Sequence, residues 1–537
     1  MSSARSPRRI RVGKSMPTQP TGPAPAVRPP ALIAAAFALL KLAVQLVAIR
    51  PYGYFRDELY YLACTEHLDW GYVDHPPLSI VLLKAWRELF GDSLVALRLP
   101  PALAGAGVVY LAGRLAMTLG GGAIATVVAC ASCLAAPGFL AFHHYYSMNA
   151  IDHLLWMVCA YLVARLLAEP RPTSWITLGV ALGLGLLDKW SLLWFGAGLA
   201  VGLVATPARK ALRTPWPYVC AAIAALLFLP NLVWQARNGW PTLEFMQNAL
   251  SEKYVARSLG AFFGELALLS NPATLPVTIA GLFAPLFVER LRPYRALSFI
   301  PLVTIAIVAS SRSSKAEYLL AALPIAAALG GTFWEGILVR RLGDRARRIT
   351  LAAVLVPMFV LFLVALPFGL PVLTVSEFIR YSERLKVTPQ TNEKKELAEL
   401  PQFYADMHGW PELVDAAAAA FATLREDEKR CAKVWARTGG YGSAAAIDFF
   451  GHAKGLPRAI SGHNSYGSWG FGTDERCAVV ILGGDRARLE ELFESLTQVT
   501  TVECGMCMPY ENHKPVYVGR GMRRSWAELW PLLRHYD

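Results

Sequence analysis

Two adjacent carboxylates, Asp57 and Glu58, open the stretch DELYYLACTEHLDWGYVDHPPL (57–78), and a third, Asp74, stands directly before His75-Pro76-Pro77. A carboxylate beside an apolar surface loses part of its hydration, which favours its protonated form and suits it to general-base work. The same two residues also fit the first turn of a helix, where the backbone dipole favours negative charge by about 0.3–1 kcal/mol. Leu59, Leu62 and Ala63 recur at helical spacing, so this short helix is expected to lay an apolar stripe along a membrane surface. Residue types alone leave the catalytic and the capping readings level. Pro76 and Pro77 fix an extended turn that aims Asp74 and His75 back at the loop. A histidine with three carboxylates nearby can hold a divalent cation or a phosphate, although a lone histidine is more often a hydrogen-bonded structural residue.

Other ionisable groups are expected at the same level. Lys189 lies in LLDKWS (186–191), Arg312 and Lys315 lie in SSRSSKAEYLLAALP (310–324), and Asp152 ends HHYYSMNAID (143–152) where an apolar run begins. Ionisable residues at or in a membrane are functional candidates by default, the plainer alternative being side chains that reach for the headgroups. Basic groups gathered beside carboxylates suit an anionic lipid headgroup as substrate.

The elements that must carry these groups follow from composition. Of 537 residues, 55% are hydrophobic and 17% charged, which is too apolar for an ordinary soluble chain and indicates a polytopic α-helical membrane protein. The net charge of +13 sits in short clusters between apolar runs, and no nucleic-acid-binding motif is present. Residues 1–30, with Arg5, Arg8, Arg9, Arg11 and Lys14, read as a disordered basic cytoplasmic tail. A helical span takes roughly 20 apolar residues. Candidates lie near 31–50, 94–117, 121–141, 150–168, 174–188, 190–206, 215–235, 272–289, 296–311, 318–339 and 349–372, about eleven in all. With the tail inside, the clusters at Arg165 and Arg171, at Arg209, Lys210 and Arg213, at Arg290, Arg292 and Arg295, and from Arg340 to Arg348 fall on one side. The 51–93 loop, the 236–271 loop and residues 374–537 then share the outer side.

Residues 374–537 read as a soluble α/β domain, with helical character over 376–430 and strands at CAVVILGG (477–484) and PVYVGRG (515–521). Cys130, Cys133, Cys159 and Cys220 fall in spans as packing residues. Cys431, Cys477, Cys504 and Cys507 fall in the outer domain, where they allow three disulfide pairings.

FRDELYYLACTEHLDWGYVDHPPL (55–78) resembles the first outer loop of family 39-type glycosyltransferases, relatives of protein O-mannosyltransferases and of lipid A aminoarabinose transferases. SMNAIDHLLW (147–156), LGLLDKWS (184–191), LPNLVWQARNGWPT (229–242), KAEYLLAALP (315–324) and the block from Gly439 to Gly472 are similar to later segments of that group. The resemblance implies a GT-C fold over 31–373 and inverting sugar transfer from a polyprenyl-phosphate-sugar donor to a lipid, glycan or protein acceptor. It places the chain in the bacterial inner membrane with the soluble domain periplasmic. It casts Asp57 as catalytic base and Glu58 as its support. It also casts His75, Lys189, Arg312 and Lys315 as donor-phosphate ligands, Asp74 with His75 as a metal pair, and Asp152 and Tyr318 as further substrate contacts. A divalent ion at Asp74 and His75 is the one cofactor expected. His75 stands where relatives often have Lys, which puts its phosphate role in doubt. Asn464, Tyr466 and Trp469 have the residue types to contact a sugar face or to serve as turn and core residues, and the second reading is favoured. A transporter or lipid flippase is the alternative, but it should show an internal repeat and polar mid-membrane spans, and neither is visible.

Overall fold

The structure is a computed structural model and describes residues 30–49, 52–311 and 314–537. The basic tail and Arg312 lie outside the described residues. The chain begins with α1 (Pro30–Val47), α2 (Arg56–Cys64), α3 (Leu78–Phe90) and α4 (Leu94–Thr118). Next come α5 (Ala123–Leu134), α6 (Pro137–Phe142), α7 (Met148–Ala168), α8 (Pro172–Asp188) and α9 (Leu192–Ala205). The helical part continues with α10 (Trp216–Arg237), α11 (Pro241–Asn248), α12 (Leu259–Ser270) and α13 (Leu275–Phe287), then α14 (Arg295–Ser310), α15 (Leu323–Arg341) and α16 (Asp344–Gly369).

All eleven apolar stretches contain helix, but fewer than eleven make a full span on their own. Among the described residues, seven helices are long and apolar enough to cross a membrane, or up to nine when two pairs bent by 102° and 93° each count as one. The chain is a multi-pass membrane protein. The shortfall has local causes. The stretch near 121–141 breaks before Pro137, which starts α6, and α8 has 17 residues. Small residues let the helices close on one another. At Gly281 and Gly330 an added Cβ would overlap the backbone oxygens of Ala326 and Val277, so α13 and α15 pack backbone to backbone.

Two ends of the bundle are distinct. At one end Tyr294 donates to the Thr118 carbonyl at 2.8 Å, Arg290 donates to the Gly120 carbonyl, and Glu335 accepts from the Ile124 N–H at 3.2 Å. The basic clusters of 290–295 and 340–348 belong to this end. At the other end lie the 52–77 loop, the start of α7, the end of α8 and the soluble domain.

That domain comprises α17 (Val375–Arg384), α18 (Gln402–Ala405), α19 (Trp410–Ala422), α20 (Glu426–Lys429), α21 (Gly440–Phe450), α22 (Asn464–Trp469), α23 (Arg486–Leu492) and α24 (Trp526–Leu533). Its strands are β1 (Lys433–Ala436), β2 (Ala459–Ile460), β3 (Val479–Leu482), β4 (Phe493–Val502) and β5 (Lys514–Met522), in the order β2-β1-β3-β5-β4. β1 pairs in parallel with β2 and β3, while β5 runs antiparallel to β3 and β4. Disulfides join Cys431 to Cys477 and Cys504 to Cys507. The first ties together the segments that enter β1 and β3.

α2 departs from the expected membrane-surface helix. Leu59, Leu62 and Ala63 are buried in a core shared with Leu413, Val434 and Ala444–Ala446 of the soluble domain. Its apolar stripe is covered by protein, because α21 packs directly upon it.

The start of α2 is held by a buried ion pair. Arg98 of α4 meets both oxygens of Glu58 at 3.0 Å, and both residues are 0% exposed. Arg98 also donates to the carbonyls of Ile49 at 3.1 Å and Gly53 at 2.6 Å. Glu58 accepts the Phe55 N–H at 2.8 Å and the Tyr146 N–H at 3.1 Å. Removing one partner of such a pair strands a buried charge and costs about 3–5 kcal/mol. Arg98→Met should therefore lower the unfolding temperature of the detergent-solubilised protein sharply, and Arg98→Met with Glu58→Leu should lower it less. Wild-type stability in Arg98→Met would remove the pair from this role.

Candidate active site

The structure separates the two neighbouring carboxylates. Glu58 points into the fold, with both oxygens taken by Arg98 and backbone donors, so it positions α2 and touches nothing outside. Asp57, one residue earlier, faces out with 31% of its side chain exposed. Its Oδ1 accepts from the Tyr441 hydroxyl at 2.9 Å and lies 3.5 Å from Arg56 Nε. The other oxygen has no hydrogen-bond partner among the described residues, so the carboxylate is anchored at one atom and open at the other.

Tyr441 lies in the first turn of α21 and reaches Asp57 because α21 packs on α2. Its backbone N–H donates to His463 Nδ1 at 3.4 Å, and the Arg56 guanidinium lies 5.5 Å from the centre of its ring. His463 Nε2 in turn stands 3.2 Å from Asp537 Oδ1. Arg56 is ion-paired with buried Asp406 at 3.4 Å and donates to Tyr510 at 3.3 Å. Burial opposes its charge, but Asp406, Tyr441, Tyr510 and Asp57 together hold it firmly protonated.

Further cations stand near. Lys315 Nζ lies 4.6 Å from the centre of the Tyr254 ring and 3.6 Å from Glu317. Burial disfavours its charge, yet Glu317, Tyr318, Glu393 and Asp57 outweigh burial and raise its pKa. Tyr254 and Tyr318 bring their hydroxyls to 3.4 Å, and Lys189 Nζ sits 5.4 Å from the centre of the Tyr318 ring. The two tyrosines thus bridge Lys189 to Lys315. Lys253, which sequence reasoning missed, pairs with Glu393 at 3.9 Å. Burial lowers its pKa, and Arg56 and Lys315 push the same way against Glu393. Crowded cations of this kind favour an added anion.

Not every expected contact joins this group. Asp152 is buried beneath Lys189, at 3.8 Å from its Nζ and 2.5 Å from Ser191 Oγ, so it orients the lysine. Lys189 also donates to Asn149 at 2.6 Å. Asp74 accepts from Tyr60 at 2.8 Å, and Tyr60 lies 2.7 Å from Ser465. His75 is 1% exposed, with its ring 4.6 Å from Tyr61 and 4.8 Å from Tyr72. Its Nδ1 lies 2.9 Å from the Pro76 carbonyl, which can only accept, so Nδ1 donates there and in the neutral ring the lone pair is on Nε2. That nitrogen is 3.9 Å from Asp74 Oδ1. The tautomer suits a metal, but no third His, Cys, Asp or Glu ligand converges on the pair among the described residues. Two ligands fall short of the three or four protein donors of a zinc centre. His75 lies inside an aromatic cage of Tyr60, Tyr61 and Tyr72.

Asn464 and Tyr466 behave as turn and core residues. Asn464 has φ of +48° and accepts from the Asp537 N–H at 3.2 Å. Tyr466 is buried and donates to Asp448 at 2.7 Å. Trp469 stacks on His67 at 4.1 Å. Gly467 is needed because a Cβ there would overlap the Gly462 carbonyl.

Comparisons with known proteins bear on the fold that carries this geometry. The family model described as dolichyl-phosphate-mannose-protein mannosyltransferase matches residues 74–234, which takes in Asp74, His75, Asp152 and Lys189 and begins after Asp57. A lipid A galacturonosyltransferase, RgtD of Rhizobium johnstonii, is 28% identical over 199 residues. The match spans 36% of this chain and 41% of that protein, under half of its length. ArnT from Cupriavidus metallidurans, crystallised with undecaprenyl phosphate, matches in structure with a TM-score of 0.58 at 15% identity, over 91% of this chain and 98% of that one. Its apo form matches with a TM-score of 0.57 at 14% identity. The fold is therefore the GT-C fold with a small soluble domain. The sequence resemblance to family 39-type and aminoarabinose-transferase-like proteins holds.

Glu393 offers a test of the cluster. Burial alone would raise its pKa, but Lys253, Arg56 and Lys315 together hold it down at about 2, against the ordinary 4.5. A depressed folded-state pKa gives stability that is fully present above pH 4.5 and fades as pH falls toward 2. The stability difference between wild type and Glu393→Gln, followed by thermal unfolding, should shrink as pH is lowered through that window. A difference independent of pH would contradict the assignment.

Proposed function

We propose that this chain is an inverting glycosyltransferase that moves a sugar from a polyprenyl-phosphate-sugar donor to a lipid acceptor at the outer face of the bacterial inner membrane. The observation that carries the reading is the arrangement around Asp57: one anchored, half-open carboxylate beside Arg56, Lys253 and Lys315 at a single end of a GT-C bundle. The relatives support the substrates: the printed name of one includes lipid A, and the structure of another holds undecaprenyl phosphate. The sidedness rests on the basic clusters gathered at the opposite end, which would face the cytoplasm.

In this reading the free oxygen of Asp57 takes the proton of the acceptor hydroxyl as that oxygen forms a bond to the anomeric carbon. The bond from that carbon to the phosphate oxygen breaks on the opposite face, giving inversion. The electron pair leaves on the polyprenyl phosphate, whose growing charge the lysines and Arg56 stabilise. Tyr441 holds the other oxygen of Asp57, so the soluble domain completes the site. Lys189, with Tyr318, extends the cationic wall toward the lipid.

Asp57→Asn, at wild-type protein levels, should abolish transfer by at least about a hundredfold. Mass spectrometry of lipid extracts should then show the donor accumulating and one glycosylated lipid missing. Full transfer by Asp57→Asn would sink the base assignment. Tyr441→Phe removes one hydrogen bond to a charged group, worth about 1.5 kcal/mol, and should cut kcat about tenfold while leaving the acceptor KM nearly unchanged. A change confined to KM would move Tyr441 out of this role.

A further inference from the structure

The soluble domain carries a second concentration of charge that the transfer step does not use. β1 and β3 lie side by side and parallel. From β1 the chain passes through α21 to β2 on one flank, and from β3 it passes through α23 to the β4–β5 flank. The carboxyl ends of the two strands therefore diverge, and in open α/β sheets such a switch point is where ligands bind. A cleft of about 150 Å³ opens there, lined by Arg437, Thr438, Gly484, Asp485, Arg488 and Leu533 among others.

The polar lining is mainly cationic. Arg437 follows β1 directly, and its guanidinium sits 5.6 Å from the centre of the Trp435 ring, which is 1% exposed. Burial and the neighbouring Arg488 both push the Arg437 pKa below the ordinary arginine value, and no carboxylate offsets them. Asp485, the one acid in the lining, is engaged locally, its Oδ1 accepting the Arg488 N–H at 3.0 Å. Gly483 and Gly484 turn with φ of +72° and +110°, so bare backbone forms that wall. A Cβ on Gly484 would stand 3.2 Å from Arg437 Cγ and crowd the guanidinium. Arg437 and Arg488 both line this cleft, and the forked donors of two guanidiniums fit an oxyanion.

We propose that this cleft is a phosphate-binding subsite that holds a phosphate of an acidic glycolipid acceptor while its hydroxyl is presented to Asp57. The cleft opens on the Trp435 face of the sheet and Tyr441, whose hydroxyl holds Asp57, lies on the opposite face. The short turn Thr438-Gly439-Gly440 joins the two at the carboxyl edge of β1, so a glycolipid headgroup that wraps this edge reaches both. The identity of the phosphate's carrier rests on the acceptor reading above; the affinity of the cleft for phosphate does not.

The test uses full-length protein in detergent and calorimetric titration. One arm uses inorganic phosphate. A second uses lipid A bearing its phosphates and the same lipid after phosphatase treatment. Arg488→Glu changes an exposed side chain, and matching thermal unfolding will confirm that it folds. Arg488→Glu and Arg437→Gln should bind phosphate about tenfold more weakly than wild type, or worse. Wild type should also prefer the phosphorylated lipid, and that preference should vanish in Arg488→Glu. Equal phosphate binding by wild type and Arg488→Glu overturns the subsite. Arg488-dependent binding of free phosphate, with lipid binding indifferent to its phosphates, overturns the acceptor assignment. If wild type transfers no sugar yet its phosphate binding depends on Arg488, the subsite stands and the glycosyltransferase reading fails.

Discussion

The buried pair of Glu58 and Arg98 is the constraint from which the site follows. A carboxylate and a guanidinium removed from water are tolerable only with excellent geometry and every remaining donor and acceptor occupied. Here the two share a fork, and the surplus donors of Arg98 go to the carbonyls of Ile49 and Gly53. The effect is to nail the end of α1, the start of α2, α4 and the segment before α7 to one point. With Glu58 turned inward, helical geometry turns its neighbour Asp57 to another face. One residue of an adjacent acidic pair thus becomes scaffold and the other becomes available for chemistry.

The same division of labour recurs around the site. Asp152 sits under Lys189, Asp406 under Arg56 and Glu393 beside Lys253. Each acid is buried and each fixes a cation near the open end of the bundle. The acids lower the desolvation cost of holding the cations, but Lys253 and Lys315 remain close enough to disfavour each other's charge. A polyanionic headgroup would relieve that repulsion, which is how a site can be stable when empty and still gain from binding.

Much of this was legible in the sequence. Apolar length gave helix at all eleven stretches, and alternation located the two strands β3 and β5. Asp57, Lys189 and Lys315 were legible because ionisable residues are rare beside apolar runs. What was hidden has a common physical origin: it depends on long-range pairing. Nothing near Tyr441 in the chain announces that its hydroxyl meets Asp57, and nothing near Arg98 announces Glu58. Lys253 lay in a loop already assigned to the outer side, but its distinction comes from Arg56 and Lys315. The stripe Leu59, Leu62 and Ala63 was read correctly as apolar and assigned the wrong cover, because periodicity reports that a face is buried and never against what. The enclosure of His75 by the rings of Tyr61 and Tyr72 likewise depends on pairing that the loop's own sequence does not show.

The contact between Tyr441 and Asp57 spans 384 residues of chain. During synthesis the carboxylate is made early and then waits, unanchored, while every remaining helix of the bundle is inserted. Its oriented form exists only after the sheet domain has folded and α21 has docked on α2. Competence is thereby tied to the completeness of the molecule. A chain that stalls during insertion, or whose sheet fails to fold, leaves Asp57 without its anchor.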